Sequence, residues 1–384
     1  MAVNRFSDSN SSWAITDRKE IIAQGKEVLI RMQDRDPFAQ FQGASLENIV
    51  RVVPEGNKDA TSCTIFIASD LEGDGIEGNQ MLQEGEDDLV HLPYSFRGRL
   101  LGNSHMSPVD VYRNRSSAKN WSQSKKTSLI KWMAKKTISE KFYTIVDDPT
   151  NIVIIKKDGT IGGSVSDLSK GAMFGVDHLV EFEKRATDGW TDLSDTEHPS
   201  LETYFVEEST EKGMKQVGEF YPVFLLPNSY QSLRKDPRWI SEQEQHSHAG
   251  LQSAVKGYGG RYGKMIIIEV RRGTARNAGG IRSDSPDFKS KSYSYTGMDK
   301  FNAGDGTVTE LNFILGTGAI ALAFDEEPRY GEDDTVDSGR FVKAWTDQFF
   351  GVKKVRFKGE TEEEKASIYH DKDYAVIVAP ATIY

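Results

Sequence analysis

Cysteine is nearly absent from this sequence. Cys63 is the single one in 384 residues, so no intramolecular disulfide can form, and a reducing, intracellular setting is the simple expectation. Long apolar runs are lacking as well. Stretches such as Met265–Ile268 and Ala375–Ala379 are far too short to span a bilayer, and Met1–Thr16 is polar, without the apolar core of a secretory leader. Neither a membrane partner nor export is expected. Positive charge is not in excess: Lys and Arg number 48 against 58 Asp and Glu, a net charge of −10. That balance argues against a chain that coats or grips nucleic acid electrostatically. The short signatures of common catalysis are missing too, since no GxSxG, HExxH, CxxC or Walker-type lysine motif occurs.

Hydrophobic residues make up 37%, and the 34 glycines fall mostly in polar stretches. One elaborated domain or a few subdomains is expected, with much loop structure and surface that is covered only on assembly. Met1–Thr16 reads as an arm, and Asp17 as the N-cap of a helix with Ile21, Ile22, Val28, Leu29 and Met32 at helical spacing. Asp34–Asn57 reads as irregular, and Ser62–Ile67, alternating and β-branched, as a strand. A polar hairpin then runs from Asp70 to about Gly102, with an acidic cluster of Glu84, Glu86, Asp87 and Asp88. A hairpin of that length has no core of its own and is expected to lie on a neighbour.

Ser107-Pro108 has the form of an N-cap followed by proline at the first helical position. Ala118, Trp121, Leu129, Trp132 and Met133 carry a narrow apolar stripe on to Phe142. This predicts roughly 35 helical residues, about 50 Å at 1.5 Å per residue. The other face is basic: Arg113, Arg115, Lys119, Lys125, Lys126, Lys131, Lys135, Lys136 and Lys141 are opposed by Glu140 alone. Beyond Pro149 the pattern is mixed. Ile152–Ile155 and Lys157-Asp158-Gly159-Thr160 predict strand, turn and strand, and Met173–Ala186 a helix with Phe174, Leu179 and Phe182 inward. Tyr221–Leu226 predicts a buried strand and Ser229–Lys235 a short helix. Lys264–Val270 and Leu311–Phe324 predict further strands, separated by the polar Arg271–Gly306 loop. Phe341, Val342, Trp345, Phe349 and Phe350 predict a helix ended by Gly351, before strands at Val352–Phe357 and Tyr374–Ala379. Glu360–Lys365 reads as a solvated hairpin tip.

Several local patterns imitate chemistry. Gly316-Thr317-Gly318-Ala319-Ile320-Ala321 fits GxGxxA, but too near the C-terminus for a full dinucleotide unit, so close strand packing is the better account of the glycines. Gly257–Gly263 misses the GxGxxG spacing and reads as a flexible loop. Asp70, Glu72 and Asp74 begin like a calcium loop, but Met81 stands where the bidentate glutamate belongs. His246-Ser247-His248 lacks a third ligand nearby and reads as exposed polar sequence. Cys63 sits in a strand pattern and reads as packed. No cofactor, metal or catalytic residue is assigned.

The hairpin and helix together carry a resemblance. Asp70-Leu71-Glu72-Gly73-Asp74-Gly75-Ile76-Glu77-Gly78-Asn79, with Met81-Leu82 and Gly85-Glu86-Asp87-Asp88-Leu89, resembles the corresponding segment of tailed-bacteriophage major capsid proteins of the podophage-type, N4-like family. Leu129-Ile130-Lys131-Trp132, Phe224-Leu225-Leu226-Pro227, Leu233-Arg234-Lys235-Asp236, Gly351-Val352-Lys353-Lys354 and Tyr374-Ala375-Val376-Ile377 follow in the same order. The resemblance implies an α+β, HK97-type capsid fold with an N-terminal arm (1–60), an extended E-loop hairpin (61–105), a P-domain with a long spine helix (106–147), an A-domain (148–335) and a return to the P-domain (336–384). It implies a non-enzymatic chain that self-assembles in the host cytoplasm into pentamers and hexamers of an icosahedral virion shell. Portal, scaffolding and decoration proteins would be partners, and double-stranded DNA would be enclosed without sequence-specific binding. An acidic composition suits a container, because a lining that gripped DNA would hinder packaging. The E-loop of one subunit would cross the spine region of the next, so Glu84, Glu86, Asp87 and Asp88 are expected to meet Arg113, Arg115, Lys119, Lys125, Lys126, Lys131 and Lys135 between subunits. Two alternatives stay open: an encapsulin-like compartment shell, and a metal- or nucleotide-dependent enzyme on the middle region.

Overall fold

The computed structural model describes residues 30, 36–45, 47–53, 58–59, 62–68, 91–108, 118–191, 197–210, 213–245, 255–270, 301, 303–324, 329–333, 336, 341–357 and 370–383. The expected helix from Asp17 (apart from the helical Ile30), the outer hairpin, His246, His248, most of Arg271–Gly306 and the Glu360–Lys365 run lie outside them.

The chain enters through β1 (Gln42–Gly43), β2 (Val50–Val52) and β3 (Lys58–Asp59). It continues through the hairpin limbs β4 (Ser62–Ala68) and β5 (His91–Arg97) and then β6 (Arg99–Pro108). Helix α1 (Ala118–Val146) follows, then α2 (Val176–Asp188), the short pair β7 (Trp190–Thr191) and β8 (Glu197–His198), and the strands β9 (Tyr204–Thr210) and β10 (Gly213–Leu225). Next come α3 (Pro227–Leu233), α4 (Pro237–Gln245), β11 (Tyr258–Tyr262), β12 (Met265–Glu269), β13 (Thr309–Leu315) and β14 (Ile320–Phe324). The last elements are β15 (Arg329–Asp333), β16 (Phe341–Lys354) and β17 (Val376–Thr382).

Two sheets organise the molecule. One runs β11-β12-β10-β13-β17, with β9 on the outer part of β10. Both faces are covered: the apolar run Met265–Ile268 is buried, and so is all of β13, whose Glu310 and Asn312 are bonded to Ser229. β10 and β12 pair in parallel, which requires the crossover that α3, α4 and β11 supply. The second sheet runs β1-β2-β14-β16-β15. The fourteen-residue β16 takes β14 and then β15 along one edge and β6 along the other. The chain passes between sheets at Gly316-Thr317-Gly318. There Gly318, at φ +68°, donates its N–H to the Asn48 carbonyl at 2.8 Å, and Gly316 donates to that of Ala375 at 3.0 Å. These glycines serve a backbone crossing, and the run opens a strand, not a nucleotide-binding helix.

Five expectations change. Ile152–Ile155 and the stretch after its turn, expected as two strands, form only isolated bridges, Ile152 to Val378 and Ile155 to Ile161. Phe341–Phe350 is strand, not helix. Aromatics four apart share a face of either element, but burial alternates strictly at Val342, Ala344, Thr346, Gln348 and Phe350, the period of a strand packed on one side. Ser107 and Pro108 end β6, opposite Val342 and Phe341, so they do not start a helix; proline is tolerated at a strand's end. Gly257–Gly263 contains β11, whose bulge between Tyr258 and Gly260 accounts for the glycines. Asp34–Asn57, expected irregular, contributes β1 and β2, which pair in parallel and extend the sheet from β14.

Candidate assembly surface

The surface is built where the β4–β5 hairpin, β6 and α1 meet. β4 and β5 pair antiparallel from Ser62 opposite Arg97 to Ala68 opposite His91, so the hairpin exists at its base as expected. Beneath its base lies a small apolar core shared with the neighbouring sheet: Val53, Cys63, Ile65, Tyr94 and Phe96 pack on Ala321, Ala323 and Val355. Cys63 is fully buried there, in keeping with a packing residue. The junction has no spare room. A Cβ on Gly98 would sit 2.0 Å from the Phe349 ring, and one on Gly351 would sit 2.8 Å from the Gly98 backbone.

Helix α1 has two halves. From Thr137 to Val146 every residue is buried. Phe142 joins Phe38 at 4.9 Å between ring centroids, and Phe38 joins Phe224 at 4.8 Å, so this end is inserted against the β10–β13 sheet. The N-terminal half instead covers one face of β6 and β16. Among its described side chains the exposed ones, Ser124, Ser128, Lys131 and Lys135, recur at helical spacing and form one open stripe. A groove of about 340 Å³ lies between this half and β6, lined by Asn103, Ser104, His105, Ser128, Leu129 and Trp132 among others.

The basic face is therefore not uniform. Lys131 and Lys135 are exposed, and Lys126 lies 5.6 Å above the Tyr330 ring. Lys125, expected on the contact face, is turned inward: its ammonium donates to the Val342 carbonyl at 3.2 Å, and burial pushes its pKa down to about 8. Lys141 is buried against Asp36, which also accepts the Phe38 N–H at 2.9 Å and ties the entering chain to the helix. Glu140 takes Arg99 at 2.9 Å and Lys136 at 3.5 Å. The side chain of Lys119 and all of Arg113, Arg115, Glu84, Glu86, Asp87 and Asp88 lie outside the described residues.

At the far end of α1 is an ionic cluster that sequence reasoning missed. Lys354, at the end of β16, donates to the Asp147 carbonyl at 2.8 Å and to Asp373 at 2.9 Å. Asp373 also receives Arg356 Nε at 3.0 Å and the Thr150 N–H at 2.9 Å. Burial lowers the Lys354 pKa and raises that of Asp147. No local pattern could have found this set, because its members are far apart in sequence. Among the described residues no group of three or more His, Cys, Asp or Glu side chains is placed to hold a metal.

No protein-family model matches the chain. The major structural protein ORF14 of Helicobacter pylori bacteriophage KHP30 is 22% identical, with 93% of each chain covered. The acid-stable capsid of the same phage superposes with a TM-score of 0.70 at 18% identity, covering 91% of both chains. The head of Helicobacter pylori bacteriophage KHP40 gives 0.67 at 18% identity over 91% of both, and the capsid of Ralstonia phage GP4 gives 0.63 at 16% over 90%. A two-sheet α+β architecture with a long helix laid along one sheet, matched nearly end to end by these shells, is the HK97-type phage capsid fold, and this chain has it.

Proposed function

We infer that the chain is a major capsid protein: a structural, non-enzymatic subunit that self-assembles into a phage shell. The observation that carries this is the near-complete correspondence, over 91% of both chains, with the solved KHP30 capsid subunit. The likeness in sequence to the KHP30 major structural protein points the same way. The chain's acidic balance suits a container wall better than a nucleic-acid-binding protein.

The finer reading is as follows. Residues 61–105 act as the E-loop, 106–147 hold the spine helix, 148–335 form the A-domain, and 1–60 and 336–384 supply the arm and the return to the P-domain. The hairpin sequence motif supports a podophage-type, N4-like placement within the class. Head-to-tail contacts between copies close into pentamers and hexamers, and these into an icosahedral virion shell around double-stranded DNA. Assembly takes place in the host cytoplasm, with portal, scaffolding and decoration proteins as partners. The hairpin acids Glu84, Glu86, Asp87 and Asp88 meet the basic side of a neighbouring spine helix, with Lys131 and Lys135 its exposed members among the described residues.

Electron microscopy and sedimentation of the purified chain test the inference. Closed shells of uniform diameter are expected, and particles from infected cells should contain DNA. Small oligomers that never close, under any scaffold or salt condition tried, would overturn it. Shells filled with protein cargo and free of DNA would move the chain to a compartment role.

A further inference from the structure

We propose that Lys354 is a positioning residue: it holds the β4–β5 hairpin at one angle to α1, and that angle sets the curvature of the shell. The curvature half rests on the shell reading above; the positioning half does not.

Three elements meet on this one residue. Its backbone carbonyl accepts the hydroxyl of Tyr94, on the hairpin limb β5, at 2.7 Å. Its ammonium donates to the carbonyl of Asp147, the residue just past α1, at 2.8 Å. The same ammonium lies 2.9 Å from Asp373, which leads into β17. The lysine side chain is 4% exposed and that of Asp373 is fully buried, so water does not compete for these bonds.

Each contact is held from behind. Asp373 is bound by Arg356 and by the Thr150 N–H, and its own N–H donates to the Thr150 hydroxyl at 2.8 Å. Asp148 adopts the left-handed region at φ +42°, so the chain leaves α1 through a sharply defined turn, and Arg356 donates to its carbonyl. Rotating the hairpin about its base would break the Tyr94 bond and leave a buried hydroxyl and carbonyl without partners, which folded chains avoid. The apolar core under the hairpin and the close approach of Gly98 to Gly351 fix where its base sits, and the polar node fixes its angle. The hairpin base therefore has one orientation, and the node that records it is Lys354. A copy engaged by the hairpin inherits that orientation, and on a closed surface a small angular change repeated at every contact changes the radius.

Two variants test this without emptying the core. Tyr94→Phe removes only the hydroxyl bond. Lys354→Met keeps the stem and removes the charge, leaving Asp373 with Arg356 and Thr150. Spin labels at Ser95→Cys and Ser128→Cys, both exposed sites, report the hairpin-to-helix distance in the full chain, Cys63 being buried. A single narrow distance distribution is expected in the labelled parent and a broadened one in both variants. An unchanged distribution in Lys354→Met would overturn the positioning role, and so would one in Tyr94→Phe should Lys354→Met fail to fold. The shells are then compared by microscopy. Mixed diameters or open sheets are expected from the variants, and wild-type diameters from Arg329→Ala, which breaks only an exposed pair on the same sheet. Uniform wild-type shells from both variants would overturn the link to curvature. A parent chain that forms no shells at all would overturn that link together with the shell reading, while the distance measurement still decides the role of Lys354 in the subunit.

Discussion

His178 shows how one proton couples to the fold. It lies in the first turn of α2, its ring stacked on Phe174 at 4.6 Å, with Nδ1 accepting the Gly175 N–H at 3.3 Å. Burial drives its pKa down to about 4, against a weak opposing pull from Asp177. A histidine whose folded pKa is depressed contributes stability that is fully present above the unfolded value near 6.5. That contribution is lost as pH falls toward the folded value. Between pH 7 and pH 5 the loss amounts to roughly 2 kcal/mol. His178→Phe keeps the stacking and removes the proton site, so its urea midpoint should fall less than the wild type's over this interval. Parallel pH profiles for the two chains would show that His178 is not responsible. Gly98 is decided by space instead of charge. Gly98→Ala drives a methyl into the Phe349 ring and should cost about 1–3 kcal/mol in urea unfolding. Adding Phe349→Leu should restore part of it; no restoration would mean the clash lies elsewhere.

At the scale of elements, similar ion pairs differ in weight according to what surrounds them. Lys141 and Asp36 clip the incoming chain to the fully buried half of α1, and their side chains are 4% and 8% exposed. Lys141→Met leaves a carboxylate without its cation and should cost about 3–5 kcal/mol. Arg329 and Asp347 join β15 to β16 at 2.8 Å, but the arginine is 54% exposed. Arg329→Met should cost no more than about 1 kcal/mol. Denaturant melts of both variants in one buffer make the comparison, and equal losses would contradict it. The contrast also explains why α1 looked uniformly basic in sequence: the lysines that share a spacing pattern do not share an environment.

At the scale of the whole molecule the proposed shell turns on which surface joins copies. Reversing Glu84, Glu86, Asp87 and Asp88 to lysine should leave a folded subunit that assembles poorly. Lys131→Glu with Lys135→Glu should rescue it in part. Lys125 belongs in no such rescue, because it is buried and bonded to the Val342 carbonyl. Each exposed pair is worth only about 0–1 kcal/mol, but repetition over many copies can set register and reject wrong contacts. Sedimentation of the reversed chain is the measurement, and normal shells from the hairpin mutant alone would rule the contact out.

Much was determined by sequence where physics is local. Short apolar stretches predicted strands within β10, β12, β13 and β17; the 3.6-residue period predicted α2; and a long polar stretch between strand limbs predicted the hairpin. A resemblance carried by ordered short motifs supplied the fold. The tertiary structure decided what spacing leaves ambiguous. Aromatics at i and i+4 fit a helix or a strand, and only pairing with β6, β14 and β15 makes Phe341–Lys354 a strand. Ser107-Pro108 has the chemistry of a helix start, yet the β16 edge claims it first. Which lysines of α1 are solvated and which are bonded inside depends on what covers each face. The Tyr94–Lys354–Asp373 node joins residues 260 and 19 positions apart. Such a cluster is invisible in sequence because burial and pairing, which give those side chains their energies, exist only once distant strands have met.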